Sequence, residues 1–292
     1  MQQCSQTKIR RGFTLIIDDS GHRKSGKSTA GVGRQYIGVL GKTDNGVVLV
    51  TTHLYDGVKS LPLDVSLYQH ASSLPSGKPA PEFIKKPDIA LKLIDKCLER
   101  GEQPGVVLID AGYGNNSKFL QELESRKLRY IGGLAKNRKV LVQLEHGLER
   151  KEIRLDELAK SLNSEAFTAI QLKIEKPRTV WVATIKVELS TMSESKTVAI
   201  VMNAATLSTA TEVDYLITNA TREKATDEWV VTTYSQRNWV EVFYREALVL
   251  VRIKRVPSKR GEKPLLTLDI GVLCLQFYCR ASVNWWTETK MG

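Results

Sequence analysis

The stretch Val106-Val107-Leu108-Ile109-Asp110-Ala111-Gly112-Tyr113-Gly114-Asn115-Asn116 restricts the possible folds of this chain more than any other. Four consecutive apolar residues without polar alternation read as a strand buried on both faces, the pattern of a sheet covered by helices. The strand stops at a carboxylate, and Gly112 and Gly114 turn the backbone at once. Open α/β sheets place their chemistry at such carboxyl ends of strands. Taken alone, Asp110 reads more readily as a turn aspartate capping its loop.

The flanking sequence supports an α/β arrangement. Phe13 to Ile17 is a second buried-strand candidate and also ends in acid, at Asp18-Asp19. Gln35 to Leu40 and Val47 to Leu54 read as strands joined by a hairpin turn at Lys42-Thr43-Asp44-Asn45-Gly46. The three together suggest a meander. Leu61 to Lys86, rich in Pro, Ser and Gly, reads as a long surface loop. Pro87 opens a helix whose apolar stripe is Ile89, Leu93 and Cys97, with Ala90, Ile94 and Leu98 beside it, and Gly101 ends it. After the Asp110 strand, Asn116 or Ser117 can cap a helix that turns Phe119, Leu120 and Leu123 inward. Tyr130-Ile131 begins a fifth strand, helix-connected to the fourth and so parallel to it. From about Asn137 to Thr232 a short helix near Leu155 to Leu162 is followed by alternating segments, a mostly β insertion. A helix then begins near Tyr234. The division expected is a first core part at 1–137, the β-rich insertion at 138–232, a Glu-bearing core helix at 233–250, and an aberrant basic tail at 251–292.

Net charge is +11, with a pI near 9.4, which favours a polyanionic partner, nucleic acid first. No stretch approaches the roughly 18 uninterrupted apolar residues of a membrane helix, and no signal peptide is evident. Cys4, Cys97, Cys274 and Cys279 form no CxxC pair and no zinc spacing, so a reduced, cytosolic setting is expected. His22, His53, His70 and His146 are scattered and receive no catalytic role. Trp181 reads as a core residue rather than a DNA wedge.

Two acids at strand ends and a third, Glu241, far along the chain make a distinctive set. On one continuous helix Tyr234, Arg237 and Glu241 would share a face at i, i+3 and i+7. Three converging carboxylates repel one another unless cations intervene, and hard oxygen donors suit Mg²⁺ or Mn²⁺. Two such ions serve phosphodiester chemistry.

Three blocks resemble the DDE transposases of bacterial insertion sequences, which have an RNase H-like catalytic fold. The first is Ile17-Asp18-Asp19-Ser20-Gly21 running on through Gly31-Val32-Gly33-Arg34-Gln35-Tyr36, and the second is Asp110-Ala111-Gly112-Tyr113-Gly114. The third is the family signature of Tyr, two residues, Arg, three residues, Glu, six residues, Lys, met here by Tyr234, Arg237 and Glu241. The resemblance implies an RNase H-like mixed sheet flanked by helices, with a β-rich insertion before the last catalytic helix. It implies Asp19, Asp110 and Glu241 as the catalytic, metal-binding triad, with Asp19 preferred to Asp18 because the family's acid is usually followed by Ser or Thr. It implies two ions of Mg²⁺ or Mn²⁺, and Tyr234 and Arg237 on DNA phosphate. The expected reaction is hydrolysis at the element's ends followed by attack of the freed 3′-hydroxyl on target DNA. The partner expected is double-stranded DNA, bound by a homodimer among the nucleoid DNA of a bacterial cytoplasm.

The signature's lysine position holds Leu248, and beyond Ala247 the motifs give way to a basic segment, Arg252 to Gly261. The codons of Trp285 to Met291, read one base later, can give Gly-Gly-Leu-Arg-Arg-Lys-Trp, a family-like tail. A frameshift near codon 248 is therefore expected, and a short N-terminus adds to the expectation of a truncated, inactive copy.

A rival pattern lies in Gly21-His22-Arg23-Lys24-Ser25-Gly26-Lys27-Ser28, which matches Walker A and would make the chain a P-loop ATPase. That loop needs a helix directly after it. Thr29 to Thr43 instead holds four glycines, each costing about 1 kcal/mol in a helix. Lys24, Lys27 and Arg34 read instead as lining a DNA path or, equally, as an ordinary solvated basic loop, and a non-catalytic DNA-binding remnant is the remaining alternative for the chain. Nucleotide sequencing around codon 248 tests the frameshift: a shifted, family-like reading is expected, and a single intact frame without one removes the idea.

Overall fold

The computed structural model describes residues 9, 11–26, 28–143, 150–173 and 177–250, and gives the backbone alone for Val39 and 246–250. Contacts divide the chain into two compact units, Met1–Gln103 with Trp239–Gly292, and Pro104–Asn238.

The first unit is built on strands β1 (Thr14–Arg23), β2 (Gly33–Ile37), β3 (Lys42–Tyr55) and β4 (Ser60–Tyr68). β3 is long enough to pair antiparallel with β2 through its first five residues and with β1 and β4 through the rest. The expected meander is thus corrected: β3, not β2, is central. The hairpin turn is displaced as well. A 3₁₀ turn, Gly38–Leu40, joins β2 to β3 and closes on Gly41 at φ +61°. Asn45-Gly46 lies inside β3, because a Cβ on Gly46 would meet the His22 carbonyl oxygen at 2.5 Å. This glycine serves close strand approach rather than a turn. β4 occupies part of the expected long loop. Leu61, Leu63, Val65 and Leu67 alternate with Pro62, Asp64, Ser66 and Tyr68, and Pro62 falls at a register shift between Thr52 and His53, where proline is tolerated.

Helix α1 (Lys86–Glu99) buries Ile89, Ala90, Leu93, Ile94 and Cys97, the stripe that periodicity marked out. Burial of each large aliphatic side chain contributes about 1.5–3 kcal/mol. The helix packs on β3 and β4, and Arg100 just beyond it grips Asp64 of β4 through two hydrogen bonds of 2.6 and 2.8 Å.

The second unit begins with β5 (Val106–Ile109), wholly buried as expected. One-turn helix α2 (Ala111–Gly114) and α3 (Ser117–Ser125) follow, with Asn116 capping α3 by accepting from the Phe119 amide at 3.2 Å. β6 (Tyr130–Leu134) returns parallel to β5. A separate hairpin, β7 (Lys139–Gln143) and β8 (Arg150–Arg154), leads to α4 (Leu155–Ser161). Then come β9 (Thr168–Leu172), β10 (Arg178–Val187), β11 (Lys196–Met202) and β12 (Val213–Thr218). β12 pairs antiparallel with β6, so the β-rich segment extends the β5–β6 sheet in the order β5-β6-β12-β11-β10-β9. α5 (Asp227–Ser235) packs on this sheet. The buried Lys196 ammonium anchors β11 to Glu124 of α3 at 2.9 Å, and Glu124 also accepts from the Tyr130 hydroxyl. Trp181 on β10 is half-buried.

The last helix, α6 (Asn238–Leu250), belongs mainly to the first unit. It docks on one face of β3: Tyr244 hydrogen-bonds Thr51, Phe243 packs on His53, and Trp239 stacks on Tyr55. Among the described residues no helix is long and apolar enough to cross a membrane. Lys27, Cys4, Cys274, Cys279, His146 and the expected tail at 251–292 lie outside the described residues, as does the side chain of Leu248.

His53 is 1% exposed and hydrogen-bonded to Ser60, and burial lowers its pKa from 6.5 to about 3. The folded state therefore refuses a proton that the unfolded chain accepts. This stability contribution is full above pH 6.5 and is lost as pH falls from 6.5 toward 3, at about 1.4 kcal/mol per pH unit. Urea unfolding across that window is expected to show this slope, and His53→Gln to remove it.

Candidate active site

Asp110 ends β5 half-buried and caps α2, its Oδ1 accepting from the Tyr113 amide at 3.1 Å. The capping role read from sequence is real, but it engages one face of the carboxylate. Gly112 leaves room beside it, since a Cβ there would lie 3.1 Å from Oδ1. Gly114 is demanded more strictly: its Cβ would fall 2.1 Å from the Gly133 carbonyl oxygen on β6. Asn115 ties the same turn to the end of β6, accepting from the Ala135 amide at 3.1 Å and donating to the Ala111 carbonyl at 2.6 Å. Arg138 then donates to the Asn115 carbonyl and to Ser117 Oγ, at 3.1 and 2.6 Å. Sequence reading assigned nothing to Gly132, Gly133, Asn115 or Arg138. A double glycine in a buried strand was the available signal.

Tyr234, at the end of α5, donates its hydroxyl to the Ile109 carbonyl at 3.3 Å. The structure thereby brings this signature residue to the strand end that carries Asp110. Arg237 is half-buried in the turn that follows, its amide bonded to the Tyr234 carbonyl at 2.9 Å. The expected single helix carrying Tyr234, Arg237 and Glu241 on one face is corrected: α5 stops at Ser235 and α6 starts at Asn238. Val230-Val231-Thr232-Thr233 is β-branched, and Thr232 and Ser235 turn their hydroxyls onto the Glu228 and Thr232 carbonyls. Such back-bonding weakens helix continuation.

In the first unit the expected strand end at Asp18-Asp19 is corrected: β1 stays paired with β3 as far as Arg23, so both acids lie inside the strand and alternate across it. Asp18 is 6% exposed, whereas Asp19 is half-buried and holds the Lys86 ammonium at 2.9 Å. That ammonium also lies 5.4 Å from the Tyr68 ring centroid. Register pairs Asp18 with Thr51 and Asp19 with Val50. Paired residues share a face. The face of β3 that receives α6 is therefore the Asp18 face, and Asp19 points to the other. Glu241 lies exposed in the first turn of α6. Among the described residues no three His, Cys, Asp or Glu side chains gather as a metal cluster.

Asn45 links the backbone at Lys24 to the β2–β3 pair that carries Arg34. Its amide donates to the Lys24 and Gly26 carbonyls at 2.7 and 3.0 Å, and it stands opposite Arg34 in register. The Walker A-like loop runs through a turn into β2, with no helix after it, so it lacks the helix N-terminus that a phosphate loop requires. His22, His53 and His70 each contact a nearby serine, Ser20, Ser60 and Ser72.

A mixed sheet with flanking helices, an acid at the end of a buried parallel strand and a tyrosine docked on that strand end define an α/β core with a candidate site at a strand end. A family model described as "DDE superfamily endonuclease" matches residues 2–154, and one described as "Transposase DDE domain" matches residues 84–275. Each spans more than half of the chain, and the chain belongs to the DDE transposase/endonuclease superfamily. The second match runs past Ala247, beyond the point where the motifs gave out. A "Probable transposase for insertion sequence element IS701" from Microchaete diplosiphon is 39% identical over 128 residues, 44% of this chain and 33% of that protein. The matched part thus spans a third of that relative's length. The crystal structure of the NurA nuclease from Sulfolobus solfataricus aligns over 84% of this chain and 87% of its own, at 9% identity and a TM-score of 0.36, too low to bear on the fold.

The Gly114–Gly133 approach generates a stability prediction. Gly114→Ala is expected to lower the urea midpoint by the equivalent of about 1–3 kcal/mol. Gly26→Ala, whose added Cβ meets nothing within 4 Å, is expected to change it by less than about 0.5 kcal/mol.

Proposed function

We propose that this chain is a metal-dependent DNA transposase that cleaves insertion-sequence ends and joins the freed 3′-hydroxyl to target DNA. The observation that carries the reading is the Tyr234–Ile109 hydrogen bond, which couples the family's C-terminal signature to the strand end bearing Asp110. In this reading 138–232 is an insertion in the catalytic core, the enzyme works as a dimer on nucleoid DNA, and the side chains of Tyr234 and Arg237 orient the phosphate near the scissile bond. Arginine suits that task through its planar fork of donors.

The donor chemistry fits hard divalent cations. Asp19 already holds a cation, the Lys86 ammonium, and Asp110 Oδ1 is left uncrowded by the lack of a side chain on Gly112. Asp19, Asp110 and Glu241 would hold two ions, Mg²⁺ or Mn²⁺, which when bound activate an attacking oxygen and neutralise a leaving one. Lys86 then has to yield its carboxylate, and becomes available to phosphate. A second version of the triad is favoured by one observation: α6 docks on the face of Asp18, so Asp18 can stand in for Asp19 as partner of Glu241.

The test is Mg²⁺-dependent nicking of insertion-sequence-end DNA by the chain and by its Asp18→Asn, Asp19→Asn, Asp110→Ala and Glu241→Gln variants. Asp110→Ala and Glu241→Gln are expected to lose at least about 100-fold, beyond what loss of an outer-shell partner costs. Of the two β1 acids, the one that holds metal is expected to behave likewise. Equal nicking by the chain and by Asp110→Ala defeats the catalytic reading and leaves a DNA-binding remnant.

A further inference from the structure

We propose that the outward face of β2 is a binding strip for a DNA strand with unpaired bases, Tyr36 serving as the stacking platform and Arg34 as the phosphate holder. The proposal rests on the DNA-binding reading above but not on metal chemistry. Along β2, Gly33, Gln35 and Ile37 are buried while Arg34 and Tyr36 are exposed. Tyr36 is 61% exposed, more than any other large hydrophobic side chain among the described residues, and its ring contacts no other aromatic ring there. The strand does not need it for anchorage. Gln35 donates to the Gly46 carbonyl at 2.8 Å from the buried face, and Gly33 packs so closely on His70 and Ser72 that a Cβ would lie 2.9 Å from Ser72 Oγ. An aromatic ring left in water on a firmly held strand is placed for a partner with a flat apolar face.

The surroundings say which partner. Register sets Arg34 opposite Asn45 and Tyr36 opposite Thr43, so these four share one face. Asn45 fastens the backbone of the Lys24–Gly26 loop, which carries a second basic residue, to the strand opposite Arg34. Arg34, Lys24 and Lys42 enter no ion pair among the described residues, whereas Arg23 is neutralised by Asp44 at 3.2 Å. Arg34 and Tyr36 stand about 6.6–6.8 Å apart along the strand, a cation and a ring in tandem. Uncompensated cations interleaved with an exposed ring match the phosphates and bases of a single strand. In a stacked duplex the bases are not available to the ring.

The test is fluorescence anisotropy of the full chain with a fluorescein-labelled 20-mer oligothymidylate and with a blunt duplex of equal length, in EDTA so that no cleavage intervenes. Tyr36→Ala is expected to weaken single-strand binding about 5- to 150-fold while duplex binding changes less than about 2-fold. Tyr36→Phe is expected to keep the single-strand affinity. Arg34→Gln is expected to reduce the slope of log K against log salt by about 0.7, one phosphate contact. Unchanged thermal midpoints verify that these exposed substitutions leave the fold intact. The proposal is overturned if the unmodified chain ignores the single strand, if Tyr36→Ala binds it normally, or if that variant loses both forms equally. The strip is read by binding in EDTA and the proposed cleavage by nicking in Mg²⁺, so failure of nicking and failure of this strip are distinguished.

Discussion

The Gly133 carbonyl occupies the space that a side chain on Gly114 would require, and the second unit's site depends on that backbone contact. It lets the turn after β5 fold back onto the end of β6, which presents Asp110 half-exposed at a strand end instead of burying it. Asn115 and Arg138 then stitch the two strand ends together, and Tyr234 closes on the Ile109 carbonyl. A carboxylate held in this way is pre-positioned by hydrogen-bonded backbone, as the role proposed for Asp110 would require of its scaffold.

In the first unit β3 plays the organising part. Its length gives β1, β2 and β4 a common partner, and its two faces separate two kinds of contact. One face receives α6 on Thr51, His53 and Tyr55. On the other lies Asp19, whose charge is met by Lys86. The alternation of a strand therefore makes Asp18 and Asp19 unequal despite their adjacency, one buried with the helix and one offered to cations.

Much of the helical architecture was legible in the chain. The stripe of α1, the inward residues of α3, the buried β5 and its parallel neighbour all follow from local periodicity, because burying an apolar face needs no knowledge of the partner's identity. The turns were less legible. Asn45-Gly46 has the composition of a hairpin turn, but Gly46 is required by the His22 backbone and Asn45 by the Lys24–Gly26 loop. Pro62 concealed β4, whose alternation was present in the sequence. The break between α5 and α6 had its signal in the β-branched run before Ser235, outweighed by the spacing of the Tyr–Arg–Glu signature.

The sequence by itself determined the α/β class, the buried strand that ends at Asp110 and the superfamily, since these depend on periodicity and on spacing along one strand. Tertiary structure alone decided that Asp110 is shared between capping and presentation, that Asp19 and the Glu241 helix meet opposite faces, and that Lys24 and Arg34 flank one asparagine. The reason is physical: which face a side chain occupies, and which backbone it touches, depends on register and close approach between segments remote in the chain, and no local pattern encodes these.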